Sequence, residues 1–203
     1  MALWLKQIQK NKGVQFYNQG RLEIEQTERF ALLNFLYTHP CGKILRVLVR
    51  HRFMAKLLAI YQNSRFTKVN IQPFIDHHKI CMNDFIVPDG GYRSFNHFFT
   101  RALKPGARLI DQRKNMVISV ADAKLFVFEN LQREQDFLIK GCRFTLADFL
   151  KNDELAAESE HGTMMIFRLA PYDYHRYHFP FDCLVKKTVI IHGRLESVNP
   201  ITF

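Results

Sequence analysis

The 203-residue sequence has one tryptophan, seven prolines and four cysteines, and none of the cysteines forms a CxxC pair. Cys41, Cys81, Cys142 and Cys183 are too scattered to offer a metal-binding pair. A chain of this length buries roughly 70% of its unfolded surface without staples. The four therefore read as free thiols of a reducing compartment. Acidic residues are scarce, 19 against 29 lysines and arginines, and the resulting charge of +10 calls for an anionic partner such as a phospholipid surface, nucleic acid or an acidic substrate. No stretch reaches the ~18 uninterrupted apolar residues of a membrane-crossing helix. The opening MALWLKQIQK has too short an apolar run for a secretory signal and no small-residue cleavage site. Internal repeats and low-complexity segments are absent as well. The reading is a protein that is soluble or lies on a membrane without crossing it.

What is abundant is phenylalanine, 19 in all, within a composition of 47% hydrophobic and 24% charged residues typical of a globular chain. Residues 14–25, VQFYNQGRLEIE, predict two short strands around a turn at Asn18-Gln19-Gly20. From Thr27, a candidate N-cap, Phe30, Leu33, Leu36 and Tyr37 recur at helical spacing, and HPCG at 39–42 ends that helix. Lys43 to Lys68 follows as a basic amphipathic helical stretch with no acidic residue. It reads either as a core-packing helix with a solvated basic face or as a helix in the headgroup region of an anionic bilayer. Pro88–Gly91 is turn chemistry, Ser94 an N-cap, and Phe95, Phe98, Phe99 and Ala102 a helical face closed by Pro105-Gly106.

From about Val117 the pattern becomes β-like. VISVADAKLFVFENL, FLIKGCRF, GTMMIFRLAP and CLVKKTVIIHGRLESV predict strands of an antiparallel sheet or barrel. TLADFLKNDEL, capped by Thr145 with Asp148, is a helix inserted among them. The fold class is α+β: a helical region over 1–104, then a mostly antiparallel β core over 105–203.

RLAPYDYHRYHFPFD (168–182) concentrates the candidate chemistry. His175 and His178 lie beside Arg168 and Asp173 in an apolar stretch bracketed by Pro171 and Pro180. Zinc is one reading of His-x-x-His, but a third and fourth ligand of suitable spacing are missing. A hydrogen-bonded knot in the core is another, and a catalytic site the third. Asp122, in VISVADAK, reads as a turn residue unless it meets a histidine, whose tautomer and charge a carboxylate would then control. Gly90-Gly91 lacks the residues of a phosphate-cradling loop.

GYRSFNHFFTRALKPGARLID, ISVADAK, IKGCRFTLADFL, FRLAPYDYHRYHFPFD and GRLESVNP occur in this order, and together they resemble the phosphatidylserine decarboxylases, in their compact prokaryotic-type form. The resemblance runs from about Phe16 to the last residue. It implies decarboxylation of phosphatidylserine to phosphatidylethanolamine in phospholipid biosynthesis. The cofactor would be a pyruvoyl group made from a serine of the chain itself, acting as the electron sink, with no added metal. It implies that Asp122 and His178 activate that serine for self-cleavage and that His175 assists decarboxylation.

It further implies an anionic phospholipid membrane as partner, no nucleic acid, and a homodimer with a small pyruvoyl-bearing subunit. The protein would sit peripherally on the cytoplasmic face of a bacterial cell membrane. Arg46, Arg50 and Lys56 then become membrane-docking candidates. Two departures stand out: Ala123 occupies a position where the family carries glycine, and no Gly-Ser pair occurs among the 203 residues. The expectation is a C-terminally truncated proenzyme that neither cleaves itself nor decarboxylates alone. The alternative is a non-enzymatic lipid-binding remnant of that family.

Overall fold

The computed structural model describes residues 13–18, 21–26, 35–36, 39–49, 51–113, 115–139 and 142–192. They form helices and antiparallel strand pairs, distributed over two compact units. One comprises residues 1–54, 130–162 and 191–203, the other 55–129 and 163–190.

In the first unit, β1 (Gly13–Asn18) pairs antiparallel with β2 (Arg21–Gln26) in the expected hairpin. The helical stretch expected from Thr27 falls mostly outside the described residues. HPCG does not simply stop a helix. Pro40 opens α1 (Pro40–Val49), since a first-turn proline forgoes an amide that would have no helical partner. Gly42 is buried there, and any Cβ would collide with the Phe35 carbonyl.

The same unit holds β4 (Phe137–Ile139) paired with β5 (Cys142–Phe144). TLADFLKNDEL is not one helix but two, α5 (Leu146–Leu150) and α6 (Asp153–Glu158). Lys151 adopts a left-handed conformation that ends the first, and the Asn152 side chain caps the second. Thr145 and Asp148 form the expected capping box.

The 43–68 stretch is likewise not a single helix. After α1 the chain restarts as α2 (Arg52–Asn63), most of it in the second unit, and then tightens into a 3-10 turn over Arg65–Asn70 that leads into α3 (Ile71–His78). Thr67, fully buried, explains the tight turn. Its hydroxyl donates to the Ser64 carbonyl at 2.7 Å and accepts from the Phe95 amide at 3.0 Å. The first amide of α4 (Phe95–Phe99) thereby gains a partner, as does His97, whose amide donates to the Ser94 hydroxyl at 3.2 Å. That helix is shorter than its apolar face suggested, ending at Thr100, because Phe85 and Leu103 form an antiparallel bridge that pulls the backbone into extended form.

The core of this unit is Ile71, Tyr92 and Phe98, flanked by Phe74, Ile75, Ile80, Met82 and Phe95. Phe98 meets Phe74, Tyr92 and Phe95 at centroid distances of 6.0, 5.5 and 5.9 Å, the first two edge-on, so its ring quadrupole is matched as well as desolvated.

Two expected strands shrink or vanish. VISVADAKLFVFENL forms β3 only over Lys124–Phe128, paired with β6 (Met164–Arg168), because residues 120–123 bend. Residues 183–192 form no strand, and no described strand pairs with them. The β content is three two-stranded antiparallel pairs among the described residues rather than one sheet or barrel. Cys41, Cys81 and Cys183 are free and exposed.

Phe98→Ala is expected to cost about 3–5 kcal/mol of unfolding free energy in urea titration. Phe66→Ser, at a side chain 72% exposed, should stay within about 0.5 kcal/mol. Equal losses would show that the core lies elsewhere.

Candidate functional site

The site is assembled by three backbone returns within the second unit. The Ile86 amide donates to the Ala102 carbonyl and the Lys104 amide to the Asp84 carbonyl, both at 2.8 Å, which sets Asp84 beside the chain leaving α4. A turn closed by the Ala107 amide on the Lys104 carbonyl, with Gly106 at φ +76, swings Arg108 back toward Asp84. Finally, the His178 amide donates to the Val120 carbonyl at 3.0 Å and the Ile118 amide to the Pro180 carbonyl at 3.2 Å, holding the histidine-bearing stretch along residues 118–120.

These returns place Asp122 and His178 on one cleft of about 220 Å³, together with Leu103, Lys104, Arg108 and Tyr174. The Asp122 carboxylate is already engaged. Arg108 donates to its Oδ2 from Nε at 2.9 Å and from Nη2 at 2.8 Å, while Nη1 donates to Asp84 Oδ2 at 3.0 Å. The bond to Asp122 raises the Arg108 pKa, burial opposes it, and the bond to Asp84 and the two carboxylate charges add to the rise. Among the described residues Asp122 Oδ1 makes no hydrogen bond, and neither does the His178 ring. The pair shares the cleft without touching in this state. Sequence reading missed Arg108 and Asp84; the only signal available was a basic residue just after the KPG turn.

His175 lies apart from the cleft. Its ring packs tilted against Phe99 with centroids 3.9 Å apart, and Nδ1 is 3.0 Å from the Asp173 carbonyl. A carbonyl only accepts, so Nδ1 carries the proton and Nε2 is the unprotonated nitrogen of the neutral ring. Burial lowers the His175 pKa. The Asp173 carbonyl and charge push it back up, and Arg101 adds to the lowering. Asp173 shapes the turn itself, its Oδ2 accepting from the Ala170 amide at 2.6 Å and its own amide donating to the Ala170 carbonyl at 2.9 Å. Lys124 of β3 steadies the neighbouring residue by donating to the Tyr172 hydroxyl at 3.1 Å.

Arg168 is buried at the end of β6. Ala123 does not adopt positive φ, so its replacement of glycine brings no backbone strain. Among the described residues no group of three or more His, Cys, Asp or Glu is placed to hold a metal ion. None of their helices is long and apolar enough to cross a membrane. Of the membrane-docking candidates, Lys56 is exposed on α2, Arg46 is described only as backbone of α1, and Arg50 lies outside the described residues.

A carboxylate and an imidazole line one cleft and a second, desolvated imidazole lies apart from it, groups of a class able to accept and give protons. Comparison with known proteins narrows that class. The family model for phosphatidylserine decarboxylase matches residues 95–203. A phosphatidylserine decarboxylase proenzyme of Fusobacterium nucleatum is 38% identical over 181 residues, covering 89% of this chain and 60% of the relative. One of Clostridium tetani is 36% identical over 190 residues, covering 93% and 64%. One of Chlamydia pneumoniae is 39% identical over 168 residues, covering 82% and 56%. The chain belongs to the phosphatidylserine decarboxylase family, and its matches span about 60% of the length of these curated relatives.

The depressed His175 pKa makes a pH prediction. The neutral ring is favoured in the fold, whereas the unfolded chain protonates near 6.5. Stability is complete above that value and declines as pH falls through it toward the lower folded-state pKa. Urea unfolding at pH 7.5, 6.5 and 5.5 should show this decline, and His175→Phe should flatten it. An equally steep decline in the variant would assign the titration to other groups.

Proposed function

We propose that this chain carries the proton-transfer residues of a phosphatidylserine decarboxylase, acting on phosphatidylserine at an anionic membrane surface to give phosphatidylethanolamine. The observation that supports it most is the shared cleft of Asp122 and His178. Arg108 occupies one carboxylate oxygen and leaves Oδ1 available to orient the imidazole, so His178 can take a proton from an attacking hydroxyl as an oriented base. His175, desolvated and with Nε2 free when neutral, can take up a proton there from water and pass it to the substrate α-carbon, returning to the neutral ring.

An imidazole sharing a cleft with a carboxylate, and a second imidazole apart from it, suit a pyruvoyl enzyme. The precursor Gly-Ser is not among these 203 residues, and the group, when present, supplies the electron sink for loss of carbon dioxide. Its serine would belong to the small subunit of the working enzyme.

The membrane reading gains support from α2 and the turn after it. Leu58, Ile60, Tyr61, Phe66 and Val69 are 53–75% exposed, interleaved with exposed Lys56, Arg65 and Lys68. An exposed apolar patch rimmed by cations suits the headgroup region of an anionic bilayer and supports a peripheral location, which the proposal places at the cytoplasmic membrane face.

Two experiments test these readings. The first joins residues 1–203 to the remaining C-terminal part of the Fusobacterium nucleatum relative. The fusion should cleave itself and release carbon dioxide from labelled phosphatidylserine, whereas the 203 residues alone should release none. Asp122→Asn and His178→Ala should each slow cleavage about 100-fold or more, and His175→Ala should leave cleavage intact but slow decarboxylation to a similar extent. Cleavage of the His178→Ala fusion at the parental rate would refute its assignment.

The second experiment is flotation with phosphatidylserine-containing vesicles. At about 1 kcal/mol per cation near such a surface, Lys56→Gln with Lys68→Gln should weaken binding roughly 30-fold. Vesicle binding by a fusion that never turns over would favour the non-enzymatic lipid-binding alternative.

A further inference from the structure

We infer that Arg101 and Arg176 form a reciprocal clasp that positions His175, holding its ring on Phe99 with Nδ1 protonated and Nε2 free. The importance of that nitrogen rests on the proposed decarboxylase reading; the clasp itself does not.

Arg101 is 2% exposed, yet it is the residue immediately after α4 and its C-cap Thr100. Its Nη2 donates to the carbonyls of Tyr172 at 2.9 Å and Asp173 at 3.3 Å, 71 and 72 residues further along the chain. Its guanidinium lies over the rings of Phe85 at 4.3 Å and Phe98 at 4.9 Å. Nε and Nη1 are buried with no hydrogen-bond partner among the described residues, so the aromatic faces supply what compensation the cation has on those sides.

Arg176 answers in the opposite direction. Its Nε and Nη2 donate to the Thr100 carbonyl at 3.1 and 2.9 Å, a helix-end carbonyl. Residues 99–101 and 172–176 are thus tied from both sides, and His175 lies between the two ties.

The geometry reaches the imidazole through one atom. The Asp173 carbonyl accepts from Arg101 and from His175 Nδ1. A carbonyl fixed by a guanidinium cannot rotate away, so the ring keeps the Nδ1–H tautomer. Free neutral imidazole has no such constraint. Burial lowers the Arg101 pKa, while the charges of Tyr92, Asp173 and Asp122 raise it; guanidinium stays charged throughout. A fixed positive charge beside His175 also resists protonation of the ring, in keeping with its lowered pKa.

A merely structural arginine would affect only stability, so the test reads the ring. In ¹⁵N-labelled protein, long-range ¹H–¹⁵N spectra report Nδ1 and Nε2 separately, and His175→Gln assigns the signals. The parent should show a predominant Nδ1–H tautomer above pH 7. Arg101→Met, which fills the gap between the two phenylalanines, should move both nitrogen shifts toward the averaged values of an exchanging ring. Arg176→Ala should do the same to a smaller extent. Arg176 is exposed, so its variant remains informative should Arg101→Met not fold.

In the fusion enzyme, Arg101→Lys should shift the pH profile of decarboxylation and leave self-cleavage unchanged. An unchanged tautomer in folded Arg101→Met, or in Arg176→Ala alone should the former not fold, would overturn the clasp. Full decarboxylation by His175→Ala would instead sink the catalytic reading and leave the clasp standing.

Discussion

A buried guanidinium has to be compensated, and the way Arg101 is compensated organises the second unit. It faces two backbone carbonyls and two aromatic rings rather than a salt bridge at the surface. Carbonyls are positioned only by the backbone that carries them, so the cation constrains the path of residues 170–176 more strictly than a flexible carboxylate side chain would. Asp173 closes the same turn on Ala170, and Arg176 binds back to the end of α4. The histidine in this segment inherits a defined ring plane and a defined tautomer.

Arg108 solves a different problem with the same side chain. It is partly exposed, bridges Asp84 and Asp122, and uses two donors of its planar fork on a single carboxylate oxygen. An exposed bridge of this kind contributes only about 1 kcal/mol or less to stability, so its role is orientation. The two arginines divide the labour: the buried one defines the surroundings of His175, and the exposed one defines the direction of Asp122. The separation of His178 from His175 in this fold is compatible with the proposed division of self-processing and turnover between them.

The apolar surface of α2 and the following turn has a physical counterpart in Thr67. The buried hydroxyl holds the 3-10 turn rigid, so Phe66 and Val69 are displayed on either side of an anchored residue rather than on a loose loop. A preorganised apolar display loses less side-chain and loop entropy on meeting a lipid surface than a disordered one would.

Features that close within a few residues could be read directly from the amino-acid order. The β1–β2 hairpin pairing, the Ser94 cap and the Thr145–Asp148 capping box each close over a short stretch of sequence. The chemical identities of Asp122, His175 and His178, and the family they suggest, were legible for the same reason. Element lengths were not: α4 stops early because Phe85 bridges Leu103, the 43–68 stretch divides after Val49 and tightens again where Thr67 is buried, and residues 183–192 find no partner strand among the described residues.

Nor did any local pattern single out Arg101 or Arg108 among 29 basic residues. Their partners lie 14 to 72 positions away along the chain. Sequence by itself determined which groups are available and how short segments turn. Tertiary structure alone decided which carboxylate meets which arginine and which nitrogen of His175 holds the proton, because those outcomes depend on contacts that exist only once distant segments have packed together.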